Sequence, residues 1–237
     1  MEYRVLSLIH KELQLVVNPV IFFNNSELIL IDTGYKNQIT QIEEELNKNN
    51  FSIMDITKIV ITHHDHDHIG SLKAIKEKNN GLKILSSKIE SEYISGTKLP
   101  LRLLQAEERN KTLTGKEKEF GIMFCNYLKT IENCEVDNFV DDNEKIAEDL
   151  KVIFTNGHSP GHISILLENH NVLFAGDALM TENNRFIDQS DQLVYDREKY
   201  IESIKRIKER NVNKVICYHG GIVDKDINKR IEEILCN

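Results

Sequence analysis

The chain has 237 residues and a formal net charge of −8 at neutral pH. This length allows a single domain with a sizeable core, and the acidic balance disfavours nucleic acid as a partner, because phosphates require a positive surface. The first residues lack an apolar signal-peptide core, and no apolar run approaches the roughly 20 residues that span a bilayer. We therefore expect a soluble cytoplasmic protein that acts on a small molecule, with no membrane partner. A homodimer is compatible with this composition.

Short apolar runs and helical periodicity predict an alternation of strands and helices. The strand candidates are residues 4–8, 15–23, 27–31, 59–62, 83–86, 152–155, 163–168, 172–175 and 215–218. The helix candidates are residues 39–49, 71–78, 199–209 and 225–235. This order favours an α/β (α+β) architecture, a four-layer αββα sandwich in which two mixed β-sheets pack face to face with helices outside.

Residues 88–136 fit neither the strand pattern nor a recognisable motif. The segment contains leucines at positions 101, 103 and 104, and later Phe120, Met123, Phe124 and Tyr127. We interpret it as a helical insertion in a single domain that spans residues 1–237. The four cysteines of the chain lack the paired spacing of a zinc knuckle, which predicts free thiols.

A run of histidines and aspartates follows the predicted strand at residues 59–62. The run is His63-His64-Asp65-His66-Asp67-His68, and Thr62 precedes it. Crowded carboxylates and imidazoles are costly unless a cation neutralises the carboxylates and binds the imidazole lone pairs, as a divalent metal does. A turn between this strand and the following helix would let His63 and Asp65 face one metal while Asp67 and His68 reach a second.

Three further motifs end strand-like segments later in the chain. They are Gly157-His158-Ser159-Pro160-Gly161-His162, Phe174-Ala175-Gly176-Asp177 and Cys217-Tyr218-His219-Gly220-Gly221. Together with the histidine-rich run, they resemble the motifs of the metallo-β-lactamase-fold hydrolase superfamily, in which Thr-His-x-His-x-Asp-His precedes a distant His, a bridging Asp and a final His. The resemblance covers nearly the whole chain, and four motifs in this order are far more specific than a single His-x-His.

One position departs from the superfamily pattern. If Asp67 and His68 align with the Asp-His pair of the superfamily, Asp65 stands where most members carry the second His and becomes a candidate ligand. An alternative register uses His64, His66 and His68, but it loses the Asp-His pair and the flanking matches. We prefer the first register, in which His64 and His66 point away from the metals or lie behind their ligands.

The resemblance implies a site with two divalent metal ions, most often Zn²⁺, with Mn²⁺ or Fe²⁺ as alternatives. The implied ligands are His63, Asp65, Asp67, His68, His162, Asp177 and His219. In this arrangement His162 completes the first ligand group, His219 completes the second, and Asp177 bridges both. His158 would orient a ligand from behind. The carboxylate of Asp65 favours manganese or iron more than an imidazole does.

The resemblance also implies hydrolysis. A hydroxide held between the two metals would attack an ester, lactone or thioester carbonyl, with Asp67 as the catalytic proton acceptor. In the superfamily the stretch equivalent to residues 88–136 often covers the site. Its apolar side chains would then form a lid that suits an acyl or ring-bearing substrate, although a purely structural helical hairpin is an alternative.

Other functions remain open at this point. Flavo-diiron proteins share the fold and place a carboxylate at the position of Asp65, so a di-iron redox protein without its flavodoxin domain is one alternative. A nucleic-acid processing nuclease of the same fold is another, although the negative charge disfavours it. A noncatalytic metal-stabilised module is a third. Asp67 and Asp177, which suit a bridged pair of metals, argue against such a module.

Overall fold

The computed structural model describes residues 1–236. Its strands are β1 Glu2–Val5, β2 Leu8–His10, β3 Leu15–Val17, β4 Val20–Phe23, β5 Leu28–Ile31, β6 Lys58–Val60, β7 Lys83–Ser87, β8 Asn138–Val140, β9 Leu150–Phe154, β10 Ile163–Leu167, β11 Val172–Gly176, β12 Met180–Glu182, β13 Arg185–Ile187, β14 Lys214–Cys217 and β15 Gly221–Val223. Its α-helices are α1 Ile39–Lys48, α2 Leu72–Lys78, α3 Lys88–Ile94, α4 Leu101–Asn110, α5 Gly115–Leu128, α6 Arg197–Glu209 and α7 Ile227–Leu235.

Two mixed sheets organise these strands. The first has the order β1-β4-β5-β6-β7-β8, in which β5 to β8 are parallel and β4 is antiparallel to both of its neighbours. The second has the order β15-β14-β11-β10-β9, in which β11 and β14 form the parallel pair. Two short hairpins, β2–β3 and β12–β13, lie outside these sheets.

The second sheet buries both of its faces, but in different cores. Val152 and Phe174 belong to a core shared with the first sheet, whereas their neighbours Ile153 and Leu173 pack with residues of α6 and α7. This division follows from the strand repeat, because successive side chains point to opposite faces. Ile42 of α1 belongs to the core of the first sheet. The predicted αββα sandwich of two mixed sheets is therefore confirmed.

The predicted strand boundaries fail mainly near the amino terminus. The predicted strand at residues 15–23 is two strands, β3 and β4, which are separated by Asn18 and Pro19. Proline has no N–H for a ladder hydrogen bond, and the carbonyl of Pro19 instead accepts a bond from Leu6 N at 2.8 Å. The predicted strand at residues 4–8 divides in the same way into β1 and β2. Four strands of three residues, β8, β12, β13 and β15, escaped prediction because so short a run carries little periodicity.

The segment at residues 88–136 is helical, as predicted, and contains α3, α4 and α5. The helices α4 and α5 pack on each other through a small core of Leu103, Cys125 and Leu128, which is separate from the two main cores. Their outer surface leaves Phe120 66% and Met123 69% exposed. No helix within residues 1–236 is long and apolar enough to cross a membrane. All four cysteines lie in this described part of the chain and are free thiols, as predicted.

Candidate metal centre

The candidate ligands meet at one edge of the sandwich because the strands before them point the same way. In the first sheet β5 and β6 are parallel. In the second sheet β9 and β11 are each antiparallel to β10, and β14 is parallel to β11, so the carboxyl ends of all three face one edge. The carbonyl of Thr62 accepts a hydrogen bond from Ile163 N at 3.1 Å, which joins the two sheets at this edge. The loop at residues 63–68 therefore lies beside Asp177 and His219.

Two groups of possible ligands lie at this edge. One consists of His63, His158 and Asp177, the other of Asp67, His68 and His219, and the ligand atoms within each group lie within 4.8 Å of one another. Asp177 connects the groups, because its Oδ2 lies 3.7 Å from His158 Nε2 and 3.4 Å from His219 Nε2. Its Oδ1 lies 3.4 Å from His68 Nε2. This central position is the one that a bridging residue requires.

Several polar atoms of these groups are buried without hydrogen-bond partners. Within residues 1–236 they include the Nε2 atoms of His63, His68 and His158, and Oδ1 of Asp177. Buried polar atoms in folded proteins normally have partners, and these four converge between imidazoles and carboxylates. Nitrogen and carboxylate oxygen ligands suit zinc, manganese or iron. The residues present therefore fit divalent metal ions.

The structure exchanges the expected roles of His158 and His162. Both ring nitrogens of His162 are engaged, since Nδ1 lies 2.9 Å from Thr155 Oγ1 and Nε2 accepts a hydrogen bond from Asp177 N at 3.0 Å. His162 has no nitrogen left for a metal, which contradicts its prediction as a ligand. His158 instead points Nε2 into the cluster and places Nδ1 2.9 Å from Gln189 Oε1. His158 is the better candidate, and His162 orients Asp177.

The glycine before Asp177 permits this contact with His162. Gly176 has a φ of +54°, and a Cβ at this position would lie 2.8 Å from His162 Nε2. A larger residue would be strained in this backbone conformation and would displace the imidazole that holds Asp177. The close approach of His162 thus explains why a glycine precedes Asp177 in the Phe174-Ala175-Gly176-Asp177 motif.

Asp32 holds His68 from behind and was missed by the sequence-based prediction. Its Oδ2 lies 2.8 Å from His68 Nδ1 and accepts a hydrogen bond from Thr62 Oγ1 at 2.8 Å, while Oδ1 accepts from Thr62 N. A carboxylate behind an imidazole fixes the orientation of the ring and directs the other nitrogen toward the metal. The sequence held one indication of this role: Asp32 directly follows β5, as Asp177 directly follows β11.

His64 and His66 lie outside both ligand groups. His64 Nδ1 is hydrogen-bonded to the carboxylate of Glu90. His66 stands edge-on to the rings of Phe124 and Tyr127 on α5, with centroids 5.7 Å apart in each case. The alternative register therefore lacks support. The chosen register, which aligns the pair formed by residues 67 and 68, agrees with the grouping.

Glu90 is a second residue that the sequence did not indicate. Its fully buried carboxylate accepts hydrogen bonds from His64 N at 3.0 Å and from Ser159 Oγ and Gly161 N at 2.7 Å. The other ring nitrogen of His64 accepts from Leu101 N at 3.2 Å, at the start of α4. Glu90 therefore joins the loop at residues 63–68, the loop that carries His158 and the helical segment.

The carboxylates of the cluster raise the pKa of two neighbouring imidazoles, those of His219 and His68. Burial lowers the pKa of His219, but Asp177 and Asp67 outweigh it and raise that pKa to about 10. Burial likewise opposes the charge on His68, yet Asp32 and Asp177 raise its pKa well above the usual value. Burial raises the pKa of Asp177, but His219 and His68 hold it well below its usual range. Metal cations would replace the protons on these imidazoles.

Asp65 lies beside the first ligand group and also forms an ion pair with Arg102. Its Oδ2 is 3.8 Å from His63 Nε2, 3.5 Å from His158 Nε2 and 2.8 Å from Arg102 Nη2. Burial raises the pKa of Asp65, but Arg102 and the two histidines hold it well below its usual range. Asp65 is thus charged and adjacent to the group, and its role as a ligand stays a prediction.

A cavity of about 1270 Å³ reaches both ligand groups. Asp67, His158, Asp177 and His219 line it, and we call this part of its lining the floor. Apolar side chains from the hairpin β2–β3, from α5 and its preceding turn, and from the loop after β13 form much of the wall, namely Leu15, Val16, Leu113, Phe120, Phe124 and Leu193. The cluster is therefore accessible to a molecule with a substantial apolar part.

Comparisons with known proteins agree with this geometry. The family model of the metallo-beta-lactamase superfamily matches residues 14–219. The chain is 26% identical over 223 residues to a beta-lactamase-like protein 2 homolog of Caenorhabditis elegans, covering 92% of this chain but only 60% of that protein. It is 29% identical over 165 residues to an N-acyl homoserine lactonase of Bacillus thuringiensis, covering 65% of this chain and 61% of the lactonase. The crystal structure of a metallo-beta-lactamase family protein from Thermus thermophilus matches with a TM-score of 0.75 at 21% identity, over 99% of this chain and 78% of that one, which shows a shared fold.

Proposed function

Because the chain belongs to the metallo-beta-lactamase superfamily, we propose that it is a dinuclear metallohydrolase that cleaves an ester, lactone or thioester in a small molecule with an apolar group. The observation that carries this proposal is the pair of ligand groups that share Asp177 at the floor of the cavity. The proposed ligands of the first ion are His63, His158 and Asp177, with Asp65 beside them. Those of the second ion are Asp67, His68, His219 and Asp177.

Two divalent ions in such a site supply a water molecule that ionises near neutral pH and stabilise the negative charge that develops on a carbonyl oxygen. The surrounding side chains keep the ligands in place for this chemistry. Asp32 orients His68, and His162 orients Asp177. Asp67 is the proposed catalytic proton acceptor, because its carboxylate lines the cavity and lies 3.2 Å from His219 Nε2.

The proposed substrate class follows from the cavity wall. Ligand cavities commonly measure about 300–1000 Å³, and this one, at about 1270 Å³, has room beyond the reacting bond. Phe120 and Phe124 of α5 line this space together with Leu15 and Val16, which suits an acyl chain or an aromatic ring. In this proposal α4 and α5 act as a lid. The lactonase of Bacillus thuringiensis, whose name specifies an N-acyl substrate, supports the acyl class.

The proposal is tested by metal analysis combined with a substrate panel. We expect two equivalents of divalent metal per chain, and turnover of esters, lactones or thioesters that improves as the acyl group lengthens from acetyl to hexanoyl. The matched control is Asp177→Ala, which removes the shared carboxylate and should lose the second equivalent and several orders of magnitude of activity. A single bound metal, or cleavage of phosphodiesters only, would contradict the proposal. Oxygen reduction by an iron-loaded sample would favour the di-iron alternative instead.

A further inference from the structure

Arg102 connects the helical segment to the floor of the metal centre. It is the second residue of α4, and its side chain is only 16% exposed. Nη2 donates to Asp65 Oδ2 at 2.8 Å, while Nη1 donates to Gln105 Oε1 at 3.2 Å and to the carbonyl of Gln192 at 3.1 Å. Three acceptors from separate parts of the chain thus hold the guanidinium in one position.

The oxygen that Arg102 binds is also the one that faces the first ligand group. Asp65 Oδ2 is the atom 3.5 Å from His158 Nε2 and 3.8 Å from His63 Nε2. An arginine does not lose its proton in proteins, and its Nη2 lies 2.8 Å from the carboxylate of Asp65, which is the distance of a charge-assisted hydrogen bond. Together the two side chains carry no net charge. A neutral imidazole in place of Asp65 would also carry none.

We infer that Asp65 and Arg102 act as one neutral unit at the first ligand group, in which Arg102 is a positioning residue that limits the charge Asp65 donates to a bound metal. The inference rests on the metal centre proposed above. It changes the expectation from sequence that the carboxylate of Asp65 favours manganese or iron at this site more than an imidazole does. Since Arg102 belongs to α4, the charge at the site also depends on where this helix lies.

The test is the metal affinity of variants, measured for Zn²⁺ and Mn²⁺ by competition with a chromophoric chelator. Arg102→Met frees the carboxylate of Asp65, so the first ion should bind about tenfold more tightly or better, because an unneutralised charge a few ångströms from a cation is strongly attractive. If the methionine variant folds poorly, Arg102→Gln takes its place. It keeps hydrogen-bond donors without the charge and should shift the metal affinity in the same direction. Arg102→Lys keeps the charge and should stay close to wild type.

Two controls separate this role from others. Arg109→Met removes a cation from the same helix and the same cavity, one that donates to Gln192 Oε1 at 3.1 Å and forms no ion pair with a carboxylate within residues 1–236. It should leave metal affinity unchanged. In an Asp65→Asn background, Arg102→Met should change the affinity much less, because no carboxylate remains to be released. An equal change in both backgrounds would show that Arg102 acts only as a general positive charge.

Weaker or unchanged metal binding in Arg102→Met overturns the inference, since the arginine would then hold Asp65 in place for the metal or act on the lid alone. These outcomes differ from failure of the proposed function. Wild-type protein that binds no metal would refute the metal centre and this inference together. Wild-type protein that binds two metals, with no effect of Arg102→Met, would refute only the neutral unit.

Discussion

At the scale of single residues, the site depends on which nitrogen of each imidazole is free. His158 and His162 belong to one turn, yet only His158 has an unpartnered Nε2 in the described structure, facing Asp65 and Asp177. Both ring nitrogens of His162 form hydrogen bonds, one with the hydroxyl of Thr155 and one with the backbone N–H of Asp177. The proposed metal ligand and the histidine that holds Asp177 therefore differ by hydrogen bonding and not by burial, since both are buried.

Substitution of these two histidines should separate metal binding from stability. His158→Ala should lose the first metal, and it should destabilise the metal-free protein less than His162→Ala does, because it removes one buried hydrogen bond, to Gln189 Oε1, where His162→Ala removes two. His162→Ala should destabilise the metal-free protein by about 2–4 kcal/mol, because it leaves the buried N–H of Asp177 without a partner, removes one of the two side-chain hydrogen bonds of Thr155 Oγ1 and empties a buried space. Metal stoichiometry and urea unfolding of both variants provide the measurement. The reverse pattern, with metal lost and stability kept in His162→Ala, would restore the role first expected for His162.

At the scale of elements, loops from different strands must be held in register with one another. The loop after β6 carries His63 to His68, and the loop after β9 carries His158. Glu90 on α3 binds the first loop through His64 and the second through Ser159 and Gly161. One carboxylate thus fixes the distance between two parts of the same ligand group.

The loss of this connection should cost both stability and metal affinity. Glu90→Ala should destabilise the protein by about 3–5 kcal/mol, because it leaves three buried donors, His64 N, Ser159 Oγ and Gly161 N, without their acceptor. It should also weaken binding of the first metal, although no ligand is changed. The matched control is Glu92→Ala on the same helix, whose ion pair with Lys98 is exposed and should contribute at most about 1 kcal/mol. Urea unfolding and metal titration of both variants provide the measurement. Equal effects of Glu90→Ala and Glu92→Ala would contradict the role of Glu90.

At the scale of the whole molecule, the metal centre lies where the two sheets meet. The first sheet supplies Asp32 and the loop at residues 63–68, and the second supplies the loops with His158, Asp177 and His219. Hydrogen bonds already join the two sides of this edge, such as those from Ile163 N to the carbonyl of Thr62 and from Ser87 Oγ to the carbonyl of Gly161. Ions bound by ligands from both sheets would add to these links.

Metal removal should therefore lower the stability of the whole domain. At a free metal concentration about 100 times Kd, binding stabilises the native state by about 2.7 kcal/mol per site. For a domain of this size this corresponds to a rise in Tm of about 5–10 °C. Thermal unfolding with zinc and with a chelator provides the measurement, and the double variant His158→Ala/His219→Ala should show no such difference. Equal Tm values for wild-type protein in the two conditions would argue against ligands contributed by both sheets.

The sequence alone determined the sandwich and the position of the metal centre. Alternating strands and helices predicted the layers, and the His and Asp motifs, which resemble those of a known superfamily, predicted the candidate site. Only the tertiary structure decided between His158 and His162, since spacing in an irregular turn does not say where an imidazole points. It also revealed Asp32, Glu90 and Arg102. Their roles come from contacts with residues far away in the chain, which no local pattern of residues encodes.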